Sequence, residues 1–127
     1  MISHERIVTR CNLITDANGA QSDAALSATI AAGQRIALTR LTVSLDAGTT
    51  GNLAVTIGFG ASAVPSPSLA GAAGVVFHAA MAAGHHHTIG DGSAVIAVGG
   101  DGEELRITCA DPASGNWRIS YSYYLVN

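Results

Sequence analysis

The chain has 127 residues, no lysine and a formal net charge of −3, and charged residues make up only 12% of it. An ordinary soluble domain carries roughly 25%, so this surface is short of ions and better suited to contact with other protein. The six arginines (Arg6, Arg10, Arg35, Arg40, Arg106 and Arg118) are spread along the sequence, which excludes a gathered basic groove for nucleic acid.

The length fits a single domain, 1–127. No apolar run reaches membrane-span length; the nearest, Leu69 to Gly84, is mostly Ala and Gly and contains His78. The opening MISHERIVTRCN lacks the apolar stretch of a signal peptide. Synthesis in a cytosol is therefore expected, with Cys11 and Cys109 reduced.

In chain order, a first strand is expected over Glu5–Ile14. Residues 1–15, apolar and bearing Arg6 and Arg10, also suit an arm that adds a strand to a neighbour. Ala25–Ala31 alternates Leu26, Ala28 and Ile30 with Ser27 and Thr29, as a strand does. In QRIALTRLTVSL (34–45) the apolar phase changes: Ile36 and Leu38 share one parity, Leu41, Val43 and Leu45 the other. A β-bulge near Arg40 restores one buried face. NLAVTIGF (52–59) alternates cleanly, and strands are also expected over Gly74–Met81 and Ser93–Val98. ELRITC (104–109) points Leu105, Ile107 and Cys109 inward. WRISYSYYLV (117–126) does the same with Trp117, Ile119, Tyr121 and Tyr123. Turn residues such as Asn18-Gly19, Gly90-Asp91-Gly92, Gly100-Asp101-Gly102 and Asp111-Pro112 separate them. This is the pattern of an all-β protein, an antiparallel β-sandwich, jelly-roll-like, of about eight strands.

The most unusual stretch is AAGHHHTIGDGSAV (82–95), with His85, His86 and His87 in a row. In an extended segment His85 and His87 point the same way, about 7 Å apart at Cα, and Asp91 or His78 would complete a metal site. His85-x-His87-x3-Asp91 resembles the first motif of the cupins, metal-dependent jelly-roll enzymes. It carries Asp where they have Glu, and no later histidine supplies their second motif. The simpler reading is a solvent-facing loop between two strands that binds no metal and needs no cofactor. In a trimer, the loop would place one such histidine per chain around a shared axis. The other motifs are structural: Asp91 and Asp101 serve turns, Glu103 and Glu104 are solvated rim charges, and Cys109 is a small core residue. Trp117, Tyr121 and Tyr123 share a parity and pack inward. A Tyr or Trp left exposed would instead suit host polysaccharide, as in a head-spike or tail-fibre component.

GAAGVVFH (71–78) and GDGEELRITCADPASGNWRISYSYY (100–124) resemble small β-sandwich accessory proteins on the heads of tailed bacteriophages and related gene-transfer particles. The resemblance covers the last half of the chain and rests on strand pattern and a Gly-Asp-Gly-Glu turn. It implies a non-enzymatic virion protein, a capsid decoration or cement protein located on the capsid surface and assembled in a host cytoplasm. Its expected partners are the major capsid protein or other virion subunits, with a homo-oligomeric state, often a trimer, and neither nucleic acid nor membrane. Partner contacts are expected from Arg6, Arg10, His85, His86 and His87.

Overall fold

The computed structural model describes residues 7–46, 51–60 and 74–127. They form nine strands: β1 (Val8–Thr15), β2 (Gln21–Ala25), β3 (Arg35–Leu45), β4 (Asn52–Gly60), β5 (Val75–Ala82), β6 (His86–Ile89), β7 (Ala97–Val98), β8 (Glu104–Cys109) and β9 (Asn116–Val126). One 3-10 turn, Asp16–Asn18, follows β1. Asn18 Oδ1 fixes it by accepting from the Thr15 amide at 2.7 Å and the Thr15 hydroxyl at 2.9 Å.

One sheet has the order β1-β9-β3-β6, with β7 also pairing β3; the other has the order β2-β8-β4-β5. Every described pairing is antiparallel. The arrangement is that of a ribbon wound on itself: β1 pairs β9, β2 pairs β8, β3 pairs β6 and β7, and β4 pairs β5. That is a jelly roll. β6 and β7 are two parts of one strand, because both lie along β3 and only the excursion 90–96 separates them.

The core fills the space between the sheets. β3 and β9 supply Ile36, Leu38, Leu41, Val43, Leu45, Trp117, Ile119, Tyr121 and Tyr123 from one side. β4, β5 and β8 supply Val55, Ile57, Phe59, Met81, Leu105, Ile107 and Cys109 from the other. The polar ends of the aromatic side chains are satisfied: Trp117 Nε1 donates to the Ala110 carbonyl at 2.9 Å, and the Tyr121 hydroxyl to the Leu26 carbonyl at 2.7 Å. Burial pushes the Tyr121 phenol up to about 12, so it remains a donor at physiological pH.

The phase change in β3 is resolved by a bulge. Leu38 faces Tyr123 and Arg40 faces Ser122, leaving Thr39 as the extra residue. The Thr39 hydroxyl donates to the Ser122 carbonyl at 3.0 Å. Its own carbonyl turns the other way and accepts from the Gly92 amide at 3.1 Å.

Some expectations need correction. Ala25–Ala31 is not a strand: β2 lies earlier, at Gln21–Ala25. Leu26 and Ile30 are still buried, but the amides of Leu26 and Ser27 converge on one acceptor, the Leu105 carbonyl, instead of running a ladder. Ser93–Val98 is extended only at Ala97–Val98, because the chain before it loops around the β3 bulge. The arm expected over 1–15 is narrowed. Val8–Thr15 pairs along its whole length with β9 of its own chain and buries Ile14, while 1–6, including Arg6, lie outside the described residues.

Gly90 packs directly on the bulge. A Cβ there would come within 2.2 Å of the Thr39 carbonyl oxygen, and φ is +76°. Gly92 has φ +91° but open space around it. Gly92→Ala should therefore cost only the left-handed backbone penalty, about 1 kcal/mol. Gly90→Ala, which must also move backbone, should cost about 3 kcal/mol. Urea denaturation of the two variants measures the difference.

Candidate functional site

Alternation along the strands sorts the first sheet into a buried face and an outer face. Thr9, Cys11 and Leu13 of β1 stand opposite Ser122, Ser120 and Arg118 of β9. Those three stand opposite Arg40, Thr42 and Ser44 of β3. Thr42 and Ser44 then stand opposite Thr88 and His86 of β6. The outer face is thus paved with hydroxyls, several bonded across strands: Thr9 to Ser122 at 3.0 Å and Thr42 to Thr88 at 3.0 Å.

Arg40 lies half-buried among these hydroxyls. One terminal nitrogen donates to Thr42 Oγ1 at 3.2 Å, and the other to Ser120 Oγ at 2.9 Å and Ser122 Oγ at 3.5 Å. At the end of the face, Arg118 Nε meets Asp46 Oδ1 at 3.0 Å, and Asn116 also donates to Asp46. The hydrogen bonds from Arg118 and then Asn116 hold the Asp46 carboxyl below its usual range.

Apolar side chains rim the same face. Leu13 is 49% exposed and Val98 51%, and Ile7, in phase with Thr9 just before β1, is 51% exposed. Val98 stands opposite Ala37, which stands opposite Tyr124, so that row continues the outer face. Of the five large hydrophobics exposed among the described residues, these three lie on one side of one sheet.

The histidine run is part turn and part strand, with all three residues exposed. Ala82 to His85 form a turn closed by the His85 amide on the Ala82 carbonyl at 3.2 Å, and β6 begins at His86. Successive strand residues face opposite ways, so His86 lies on the outer face beside Ser44. His87 turns toward the other sheet, its ring 5.8 Å from that of Phe77. His78 sits on the second sheet, where Thr56 bonds its Nδ1 at 2.8 Å. Asp91 folds back on its own turn, accepting from the Ser93 amide at 2.9 Å and hydroxyl at 2.7 Å. The Ser93 amide, chiefly, keeps the Asp91 carboxyl below its usual range. The structure therefore does not bring His85, His87 and Asp91 together as a cupin-like set. Among the described residues no three His, Cys, Asp or Glu side chains gather to hold a metal.

Arg10 is exposed and stands opposite Tyr121, hence on the inward side of edge strand β1, away from the hydroxyl face. Trp117, Tyr121 and Tyr123 are buried, which leaves Tyr124 as the partly exposed member of the aromatic group. Glu104 is more than a solvated rim charge: it pairs with Arg106 at 2.9 Å, and Asp23 holds the same guanidinium at 2.6 Å. Glu103 accepts from the Gly100 amide at 2.7 Å.

Comparison with protein-family models, with curated proteins and with solved structures finds no match for this chain.

The residue that sequence reasoning passed over is Arg40. In the sequence it marks the phase change and belongs to no motif. The signal was present: a charged residue at a bulge is re-aimed by it.

The two thiols separate chemically. Cys11 is exposed on the outer face, and Cys109 is buried, its thiol pushed up to about 11 by burial. Cys109 thus holds far less thiolate near neutral pH, and reactivity follows thiolate and access. A maleimide at pH 7.5 should label one thiol per native chain, at Cys11. Cys109 should react about a hundredfold more slowly or only after unfolding, as peptide mapping of the labelled protein will record.

Proposed function

We propose that this jelly roll is a non-enzymatic structural subunit of a virus particle. In this reading it is a decoration or cement protein that bridges capsid subunits on the head of a tailed phage or a related particle. The observation that carries the reading is the outer face of the first sheet, where Ile7, Leu13 and Val98 stand exposed around a field of short hydroxyl side chains. Exposed apolar groups on one face of a sheet suit contact with other protein, and the chain as a whole carries few ionic groups to keep its surface in water. The likeness of 71–78 and 100–124 to phage-head accessory proteins supports the same role. The fold agrees with it, since viral coat proteins use jelly rolls, although lectins and cupins do so as well.

The mechanism is thermodynamic. A subunit that binds the assembled lattice and not its dissociated parts stabilises the lattice by mass action. A trimer engaging several lattice positions together gains avidity, so each contact can be weak.

Mixed with undecorated capsids, the purified protein should bind saturably at a fixed number of lattice positions and raise the temperature at which the capsids come apart. Sedimentation should show an oligomer. A monomer that leaves capsid stability unchanged would overturn the reading.

A further inference from the structure

We infer that Arg40 is the docking point for a carboxylate presented by a different protein. This rests on the reading above, in which that protein is the capsid subunit beneath the face.

Among the described residues, Asp23 and Glu104 hold Arg106, and Asp46 holds Arg118. The other acids whose side chains are described tie down turns: Asp91 accepts from the Ser93 amide, Asp101 from Gly33, Glu103 from Gly100 and Asp111 from Ala113. Three arginines have no carboxylate among the described residues: Arg10, Arg35 and Arg40. Arg10 and Arg35 are exposed, and water solvates them. Arg40 is different, because it is half-buried and its described partners are neutral hydroxyls.

Those hydroxyls hold the guanidinium flat and in a fixed orientation without neutralising it. The bonds use its two terminal nitrogens, and Nε remains open to a new acceptor. A guanidinium fixed in this way is organised in advance to donate its Nε–H to a carboxylate in a charge-assisted hydrogen bond. The surrounding side chains Thr9, Thr42, Thr88 and Ser120 are short, so a flat protein surface can reach bonding distance.

The occupant follows from the same bookkeeping. In a second copy of this chain, the acids whose side chains are described already accept from its own arginines or turn amides. A polyanion such as nucleic acid or an acidic glycan needs several cations gathered together, yet of the two other described arginines on this face Arg118 is neutralised by Asp46 and Arg35 stands opposite Val126, four residues farther along β9 than Ser122 opposite Arg40. A single acidic side chain on a heterologous protein fits both facts.

Two probes test this. The first is a capped Gly-Glu-Gly tripeptide, with Gly-Gln-Gly as control, titrated while the arginine Nε–H resonances are followed by NMR. The Arg40 signal should shift saturably with the Glu peptide and not with the Gln peptide, and Arg40→Gln should abolish the effect on the Thr42 and Ser120 amides. The second probe is the undecorated capsid. Arg40→Gln should weaken binding by about tenfold or more, whereas Arg10→Gln, on the other side of the sheet, should change it by less than about twofold. Arg40→Lys, which keeps the charge without the fork, should fall between them, with the Tm of each variant confirming the fold.

Capsid binding unchanged in Arg40→Gln would overturn this inference and leave the structural-subunit reading intact. A Glu-specific shift without any capsid binding by the parent protein would overturn that reading and keep the carboxylate site. No Glu-specific shift, or self-association that depends on Arg40, would overturn the site as proposed.

Discussion

Two antiparallel strands of eleven residues, β3 and β9, form the centre of the first sheet, and they bury a common face only if their side chains stay in phase. The sequence of β3 breaks phase between Leu38 and Leu41. Without a correction, a one-residue slip would turn Leu41, Val43 and Leu45 to solvent. Each fully buried aliphatic side chain is worth about 1.5–3 kcal/mol, so the slip would cost a large part of a small domain's net stability. The extra residue at Thr39 prevents it. Other features are consequences: the freed Thr39 carbonyl takes the Gly92 amide, Gly90 must pack against it without a side chain, and the partner strand divides into β6 and β7. Arg40 is carried to the outer face by the same step.

The scarcity of charge has a second side. The few carboxylates are spent on local geometry, as turn acceptors and as partners of Arg106 and Arg118, and little is left over for solubility. Among the described residues no buried side-chain nitrogen or oxygen lacks a partner. The described interior is therefore settled, and the groups left open lie outside it, in the exposed apolar side chains and in a cation whose described partners are hydroxyls.

The fold was legible because period-two alternation is strong in β3, β4, β8 and β9, the strands that contribute most of the core. Even the bulge showed itself as a change of parity. What alternation could not show was segments whose burial does not come from a ladder. Leu26, Ser27 and Ile30 alternate like a strand, yet they cross between sheets, with two amides sharing the Leu105 carbonyl. The histidines misled in the opposite direction. Polar residues beside Gly84 look like a loop, but a strand with one face on solvent tolerates His86 and Thr88 as readily as a loop does. The candidate site was less legible than the fold, because it depends on which strands become neighbours. Thr9, Ser120, Ser122, Thr42 and Thr88 come from four strands, and no spacing in the chain brings them together.

Why contact should run through a face and not an edge follows from how the four edge strands are built. An unpaired edge invites another chain to extend the sheet, and proteins guard against this with charges, bulges and short strands. β1 carries Arg10 on its inward side. β6 is four residues long and is followed by the excursion around Thr39. β2 shifts register between Gln21 and Ala24, with Asp23 at φ 51°. β5, the most apolar of the four, is irregular where Phe77 faces Ile57 but Val75 faces Gly58, leaving Val76 as the extra residue. Every edge is thus spoiled for a long, regular ladder with a neighbour. The outer face of the first sheet is built largely of short side chains, carries exposed Ile7, Leu13 and Val98, and holds in Arg40 a cation without an acid among the described residues. A chain that blocks extension at its edges can associate through a face without polymerising, which is what the proposed role on a finished lattice requires.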